Sequence, residues 1–403
     1  MLPLGLGILG LGLVLAACAP QIALPQGDSI RIGAPISLTG SQAQSGQMVD
    51  EGYQFCQDWV NGQGGVRIGG VWHHLDIVRK DDQSRLSTSA AITTRMVSQD
   101  GIKLLLGPSN SAATLKDAQI ADAHSVPMVE GAGLSEGIFS AGNRWVFGVT
   151  APASRQMQGV IDLALAHWAA PHSVAIVYAN DSLSSEMAAQ ARDYAVSRGL
   201  SLAYFDNFAA GSNNPGPQIG AALSTQPDLL LETGQVRDSV QTMQSLRSWK
   251  PQTQMIGFSD GPGTNGFVAS LQKTAENVVG TSQWVAGARI QVSYFLTSAD
   301  YAAQYQSRFG HPPNAQSAAA TASCLALQMA IQRAGSSDPD RVRAALTRLD
   351  LNVFFGRIKF DQRGANMAKT VYVLEVEKGK AQVVWPAEAA TALPRYPWPG
   401  WIK

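Results

Sequence analysis

The first stretch with a clear hydrophobic pattern changes its period halfway. Every second position from 30 to 36 is apolar, which predicts a β-strand with a buried face. Apolar residues from 48 to 60 recur every three or four positions, which predicts an amphipathic helix. The loop between them is rich in Gly, Ser, Thr and Gln. Because it lies between this strand and this helix, it follows the carboxyl end of the strand. Ligands of open α/β sheets bind at such ends.

Predicted strands and helices then alternate along most of the chain. Strands are predicted at 75–78, 102–106, 126–129 and 145–149, with helices at 87–98 and 114–124. After Pro152 a second series repeats this order, with helices at 155–168, 183–198 and 236–249 and a strand after each of them. Such alternation is typical of βαβ units with a mostly parallel sheet and helices on both faces. We therefore predict an α/β fold made of two doubly wound lobes.

The chain is expected to cross between the lobes near residues 152, 281 and 356. The first lobe would then contain 28–151 plus 283–355, with late helices from 301–348, and the second 152–282 plus 356–403. The last part predicts strands joined by a Glu-Lys-Gly-Lys hairpin turn. Prolines interrupt the final PRYPWPGW segment, so we expect an irregular tail.

Composition limits the classes of partner. The 403 residues are 45% hydrophobic, enough for two domain cores. Thirty basic residues balance thirty acidic ones, so no basic surface for nucleic acid or anionic lipid is implied. We expect no nucleic-acid partner.

The N-terminus has the features of an export signal. An apolar run ends in Leu-Ala-Ala-Cys at residues 15–18, and the run is too short for a comfortable membrane span. The tetrapeptide resembles a bacterial lipobox, which implies a signal peptide at 1–17, acylation of Cys18 and a lipidated linker at 18–28. An ordinary secretory signal is the alternative, and export is expected in both cases. The membrane contact would then be the lipid anchor alone.

Two further cysteines, Cys56 and Cys324, lie within helical patterns. A disulfide between them is possible. We expect both to be unpaired, buried small side chains on helix faces.

Several stretches together resemble one family, the type 1 periplasmic solute-binding proteins, in its leucine/isoleucine/valine-binding branch. The stretches are IRIGAPISLTGSQAQSG, NGQGGV, KDDQS, DGIKLLLGPSNSAATLKDAQIADAHSVPMVEGAG and FFGRIKFDQRG, which together cover most of the chain. The resemblance implies two Rossmann-like lobes joined by three crossover segments, with a solute in the cleft between them. It also implies a monomer that delivers the solute to the permease of an ABC importer.

The resemblance also implies a set of ligand contacts. Ser111 matches a serine that holds an amino acid's carboxylate, and Ser109 and Asn110 flank it at a predicted helix N-terminus. Ala132 matches a main-chain contact. Leu134, with Ser135 beside it, stands where the family has a threonine, and either Ser259 or Asp260 matches the acidic residue that accepts from the ammonium group.

Three wall positions depart from the family pattern. The branched-chain binders have aromatic rings where this chain has Ser45 in the first loop, Leu183 and Gln235. These losses, with the missing threonine, leave an α-amino acid incompletely paired, and each unpaired buried polar group costs about 1–3 kcal/mol. A bulkier solute with one carboxylate or polar end is therefore expected, such as an aromatic acid, an amide or a modified amino acid.

No catalytic, cofactor or metal motif supports an enzyme. The six histidines form no H-E-x-x-H pattern. Gly107-Pro-Ser-Asn-Ser111 lacks the final glycine of a nucleophile elbow, and Gln47 replaces the lysine of a phosphate-binding loop. The remaining alternative is a sensor, or an envelope-protein-regulating lipoprotein, of the same fold.

Overall fold

The computed structural model describes residues 26–166 and 171–399. The predicted signal peptide and Cys18 lie outside these ranges. The first part of the chain forms β1 (Ile30–Ile36), α1 (Ala43–Gly62), β2 (Val66–Ile68), β3 (Val71–His73), β4 (Leu75–Asp81), α2 (Leu86–Ser98), β5 (Leu105–Leu106), α3 (Ser111–Ala123), β6 (Met128–Glu130), α4 (Gly137–Ser140) and β7 (Val146–Gly148).

The middle part repeats the alternation. It forms α5 (Ala153–Gln156), α6 (Gln158–Leu165), β8 (Ser173–Ala179), α7 (Ser182–Ser197), β9 (Ser201–Phe208), α8 (Gly216–Ser224), β10 (Leu229–Thr233), α9 (Val236–Trp249), β11 (Met255–Phe258), α10 (Asn265–Leu271) and β12 (Val279–Ser282). The last part forms α11 (Ser298–Phe309), α12 (Ala315–Ala334), α13 (Pro339–Leu346), β13 (Asp350–Val353), β14 (Gly356–Lys359), β15 (Tyr372–Glu377) and β16 (Lys380–Trp385).

The first sheet is parallel throughout, in the order β4-β1-β5-β6-β7. The apolar side chains of β1 pack with α1, α11, α12 and α13 on one face. On the other face, side chains of β5 and β6 pack with α2 and α3. Helices α11, α12 and α13 therefore cover the first sheet.

Close contact between α1 and α12 depends on small residues. A Cβ atom on Gly52 would lie 2.4 Å from the Ser317 carbonyl oxygen, so α1 has no room for a side chain there. A hydrogen bond also joins the two helices at this point, because Thr321 Oγ1 on α12 donates to the Gly52 carbonyl oxygen on α1 at 2.9 Å. The Ala/Ser-rich sequence of α12 lets it be buried along most of its length.

The second sheet has the order β16-β15-β12-β11-β10-β8-β9. Its strands β8 to β12 pair in parallel, whereas β15 and β16 are antiparallel and form the predicted hairpin. Helices α6 and α7 pack on one face, and α8, α9 and α10 on the other. The doubly wound α/β prediction is confirmed for both lobes. Within the described ranges, no helix has the length and apolarity needed to span a membrane.

The segment after Gly356 packs differently from the expected lobe assignment. Ile358 and Phe360 belong to the core of the first lobe, and Ala365 pairs with Gly148 at the edge of the first sheet. Asn366 Nδ2 donates to the Val149 oxygen at 2.9 Å. The expected boundary at 356 thus lies too early, because residues 356–366 bury their apolar side chains against the first sheet.

The expectation for the two helical cysteines is wrong, because Cys56 and Cys324 form a disulfide. Both are buried small side chains, as expected, but they face each other across the α1–α12 contact. The bond closes a separation of 268 residues. Helical spacing places each cysteine on a buried face but gives no information about which helix lies opposite.

Removing this disulfide should destabilise the first lobe. A cross-link over a long separation limits the unfolded chain, and the loss of a native disulfide costs about 2–5 kcal/mol. We expect Cys56→Ser/Cys324→Ser to lower the free energy of unfolding by this amount in urea denaturation. Wild-type protein unfolded with a reductant should match the variant. Equal stability of the oxidised and reduced proteins would contradict the assignment.

Candidate functional site

The loop after β1 is fixed by the loop after β4. Asp81 Oδ1 accepts from the amides of Leu38 and Thr39 at 3.0 and 3.1 Å, and Ser84 Oγ donates to the Thr39 oxygen at 2.7 Å. Ser45, expected in this loop, instead lies in the first turn of α1, because the helix begins at Ala43. Its hydroxyl oxygen accepts a long hydrogen bond of 3.4 Å from Gln316 Nε2 on α12.

Three predicted residues meet at the N-terminus of α3. Asn110 caps the helix, and its Oδ1 accepts from the Ala113 amide at 3.0 Å. Ser109 is buried, and its hydroxyl accepts from the Ser37 amide at 3.2 Å. Ser111 Oγ accepts from the Leu134 amide at 3.0 Å, so its own hydroxyl proton stays available to a ligand.

Hydrogen bonds from the buried side chain of Glu130 fix the loop after β6, and the sequence analysis did not identify this residue. Glu130 Oε2 accepts from the amides of Ala132 and Gly133 at 3.0 and 2.5 Å. Burial raises the pKa of Glu130 to about 8, although these two amides partly offset the shift. The only sequence signal is a glutamate that ends an apolar strand before a glycine.

Ser135 contacts the second lobe. Its hydroxyl donates to Glu186 Oε2 at 2.7 Å, and the Glu136 amide donates to Glu186 Oε1 at 2.7 Å. Glu186 lies on α7, one helical turn after the predicted wall residue Leu183, so the two share a face. The sequence did not indicate Glu186, because a glutamate inside a helix is usually a solvated residue.

The remaining predicted residues lie together at the carboxyl edge of the second sheet. Gln235 is the exposed N-cap residue of α9, and its backbone N–H donates to Asp238 Oδ2 at 3.1 Å. The Ser259 hydroxyl exchanges hydrogen bonds with the Gly234 amide and carbonyl, at 3.1 and 3.2 Å. Both of its hydrogen-bonding functions are therefore used within the lobe.

Asp260 has more acceptor capacity left than Ser259. One of its carboxylate oxygens accepts from the Gly261 amide at 2.8 Å. Burial raises the pKa of Asp260 to about 6, partly offset by that amide. Below it, the pKa of the buried Glu232 is raised well above its ordinary value by burial, although the Ser239 hydroxyl donates to it at 2.9 Å. Asp260 therefore keeps more unused acceptor positions than Ser259.

The site thus consists of two groups, one on each lobe. Ser109, Asn110, Ser111 and Leu134 lie together on the first lobe, while Gln235, Ser259 and Asp260 lie together on the second. Ser135 and Glu186 join the lobes beside the first group. Within 26–166 and 171–399, no group of three or more His, Cys, Asp or Glu side chains is arranged to hold a metal ion.

Comparisons with known proteins agree with this architecture. The family model described as periplasmic binding protein matches residues 29–381. Leu/Ile/Val-binding protein homolog 8 of Brucella suis biovar 1 (strain 1330) is 22% identical over 409 residues, which cover 96% of this chain and 97% of that protein.

Two solved structures share the fold. The branched-chain amino acid transporter substrate-binding protein LivJ of Streptococcus pneumoniae, in complex with isoleucine, has a TM-score of 0.73 at 21% identity, covering 89% of this chain and 100% of its own. A solute-binding protein of an ABC transporter from R. palustris, in complex with benzoate, has a TM-score of 0.71 at 14% identity, covering 91% and 98%. Because the family model matches most of the chain, this protein belongs to the periplasmic binding protein family.

Proposed function

We propose that this protein is an extracytoplasmic receptor that binds a small organic solute with a carboxylate or polar end between its lobes and delivers it to the permease of an ABC importer. In this proposal it acts as a monomer without catalysis and is held at the membrane by acylated Cys18. Similar proteins include a Leu/Ile/Val-binding protein homolog and a branched-chain amino acid transporter substrate-binding protein. Family membership supports the receptor role.

The observation that carries the proposal is the arrangement around Ser111. The first amides of a 13-residue helix have no partners within the helix, and the helix dipole favours an anion there. The Ser111 hydroxyl, held by the Leu134 amide, adds a donor at the same point. Although Asn110 already caps the Ala113 amide, a carboxylate at this point would still face the positive end of the helix and the Ser111 hydroxyl.

The solute class follows from what surrounds this carboxylate site. Leu134 offers no hydroxyl, and the wall positions Ser45, Leu183 and Gln235 offer no aromatic ring. The side chains of Ser135 and Ser259 already bond to protein groups. We propose an aromatic acid, an amide or a modified amino acid in preference to leucine. The fold is known with both kinds of guest, since one structural neighbour holds isoleucine and another holds benzoate.

The lobes close because a bound solute contacts both of them. Only a solute that binds the closed arrangement more tightly than the open one can shift the equilibrium between them. We propose the lobes as 28–151 plus 283–366 and 152–282 plus 367–403, in which the later boundary follows the packing of Asn366 on the first sheet.

A thermal-shift screen tests the receptor role. A solute that binds the native state raises the melting temperature, by an amount that grows with the logarithm of its concentration relative to Kd. We expect a shift with an aromatic acid, an amide or a modified amino acid, and little shift with leucine or isoleucine. Isothermal titration calorimetry should then give one site per chain. No shift with any compound of these classes, or turnover of the bound compound, would contradict the proposal.

Replacing Ser111 should weaken binding of the solute identified in that screen. Ser111→Ala removes a donor to a charged group, and such hydrogen bonds contribute about 1.5–3 kcal/mol. We expect at least about a tenfold loss of affinity by calorimetry, with partial rescue in Ser111→Thr. Ser98→Ala is the matched control, because that hydroxyl only bonds its own helix at Thr94. If Ser111→Ala binds the solute with unchanged affinity, the carboxylate does not contact Ser111 and its proposed placement is wrong.

The pH dependence of binding tests the role of Asp260. Its pKa is raised to about 6, so the side chain is mostly neutral at pH 5 and mostly ionised at pH 7. A solute with a cationic group beside Asp260 should bind more tightly as pH rises through 6, and Asp260→Asn should abolish that gain. A solute without a cationic group should show no such gain. Asp193→Asn, an exposed acid on α7 paired with Arg192, is the control.

A further inference from the structure

One lysine is completely buried between the two lobes. Lys369 is 0% exposed, and its Nζ donates to the carbonyl oxygens of Gln283 and Thr370 at 2.6 and 2.8 Å. The same Nζ lies 4.4 Å from the ring centre of Phe355, on the first lobe, and 5.2 Å from that of Tyr372, on the second. No ion pair within the described parts of the chain includes Lys369.

The position of this lysine is where the three crossovers meet. Gln283, on the second crossover, bonds the amide and carbonyl of Ala151 on the first crossover, at 3.1 and 3.0 Å. Asn366, which begins the third, bonds Val149 on the first at 2.9 Å. Lys369 joins the third crossover to the second through the Gln283 oxygen. These four residues, Ala151, Gln283, Asn366 and Lys369, are called the hinge cluster below.

We propose that Lys369 makes the hinge sensitive to protons: the neutral amine favours the lobe arrangement described here, and the ammonium favours arrangements that admit water to the hinge cluster. Lys369 is thus a positioning residue, because it acts on the relative placement of the lobes and does not touch the solute. This inference uses the lobe motion of the proposed function, but it does not depend on which solute binds.

The chemistry of the amine supports this assignment. A neutral amine has two N–H donors, which are enough for the oxygens of Gln283 and Thr370, so losing the third proton breaks neither hydrogen bond. The ammonium gains contact with the faces of two rings but loses its hydration without gaining a carboxylate partner. A lobe rotation that separates Gln283 from Lys369 would expose the nitrogen to water. Water stabilises the ammonium more than the neutral amine.

The groups around Nζ give it little electrostatic compensation. Phe355 and the Gly356 backbone face it from the first lobe, Gln283 and Thr370 from the crossovers, and Tyr372 from β15. Of these only Tyr372 titrates, and burial, with a smaller contribution from Glu388, raises its pKa to about 12, so it is neutral. Burial lowers the pKa of Lys369 to about 7. The lysine therefore changes its protonation state near neutral pH.

Small-angle X-ray scattering of the ligand-free protein between pH 5.5 and 8.5 tests the proposal. We expect the wild-type radius of gyration to increase as the pH falls from 8.5 to about 7 and to change little below that, where the lysine is protonated in both arrangements, and this increase to be lost in Lys369→Met. Four buried acids also have raised pKa values, of about 6 to 8: Asp117, Glu130, Asp260 and Glu375. Because wild type and Lys369→Met both contain them, any response that they cause would appear in both proteins. Lys103→Met, at an exposed lysine, should behave like wild type.

The same pH response in wild type and Lys369→Met, or no response in either, would overturn the proposal. If Lys369→Met does not fold, NMR of wild-type protein with ¹³C-labelled lysine provides the test. One lysine signal should titrate well below the ordinary lysine value, and a solute that closes the lobes should move its midpoint down toward pH 7. A set of lysines that all titrate near the ordinary value would overturn the proposal. Because the scattering test needs no solute, failure to find a ligand would leave its result unaffected.

Discussion

The need to satisfy buried backbone groups where the chain crosses between the lobes determines much of this structure. Three crossovers run side by side where Ala151, Asn366 and Lys369 are buried, and buried carbonyl and amide groups need hydrogen-bond partners. Gln283 supplies a carboxamide to both backbone groups of Ala151, and Asn366 donates to Val149. Lys369 supplies the remaining donors. In the arrangement described here, the crossovers are therefore joined to one another by side-chain hydrogen bonds.

The two lobes support their cleft-facing loops in a related way. A glutamate stands near the end of a central strand in each, Glu130 on β6 and Glu232 on β10, and both carboxyl groups are buried. Glu130 accepts from the loop that carries Leu134, and Glu232 accepts from Ser239 beneath the loop that carries Asp260. Burial raises the pKa of both acids, which favours their neutral forms. Each acid therefore supports a loop that carries predicted site residues.

Part of the candidate site was predictable from sequence and part was not. Asn110 and Ser111 follow a predicted strand and open a predicted helix, so their meeting at α3 needed only local pattern. The bond from Leu134 to Ser111 connects two strand ends and needed the order of strands in the sheet. Glu186 belongs to the other lobe, so no local pattern could associate it with Ser135. Ser45 was misplaced because the start of α1 has no strong capping residue, since Gln42 makes no side-chain cap.

The hydrophobic pattern was enough to predict the alternation of strands and helices, and with it two doubly wound lobes, because hydrophobic period is a local property of the chain. The tertiary structure alone decided which buried faces meet. Cys56 and Cys324 become partners because α1 and α12 pack together, and residues 356–366 join the first lobe because its sheet edge accepts them. It also decided that Lys369 lies between two rings instead of in water. Such contacts join residues far apart in the chain, and periodicity does not encode them.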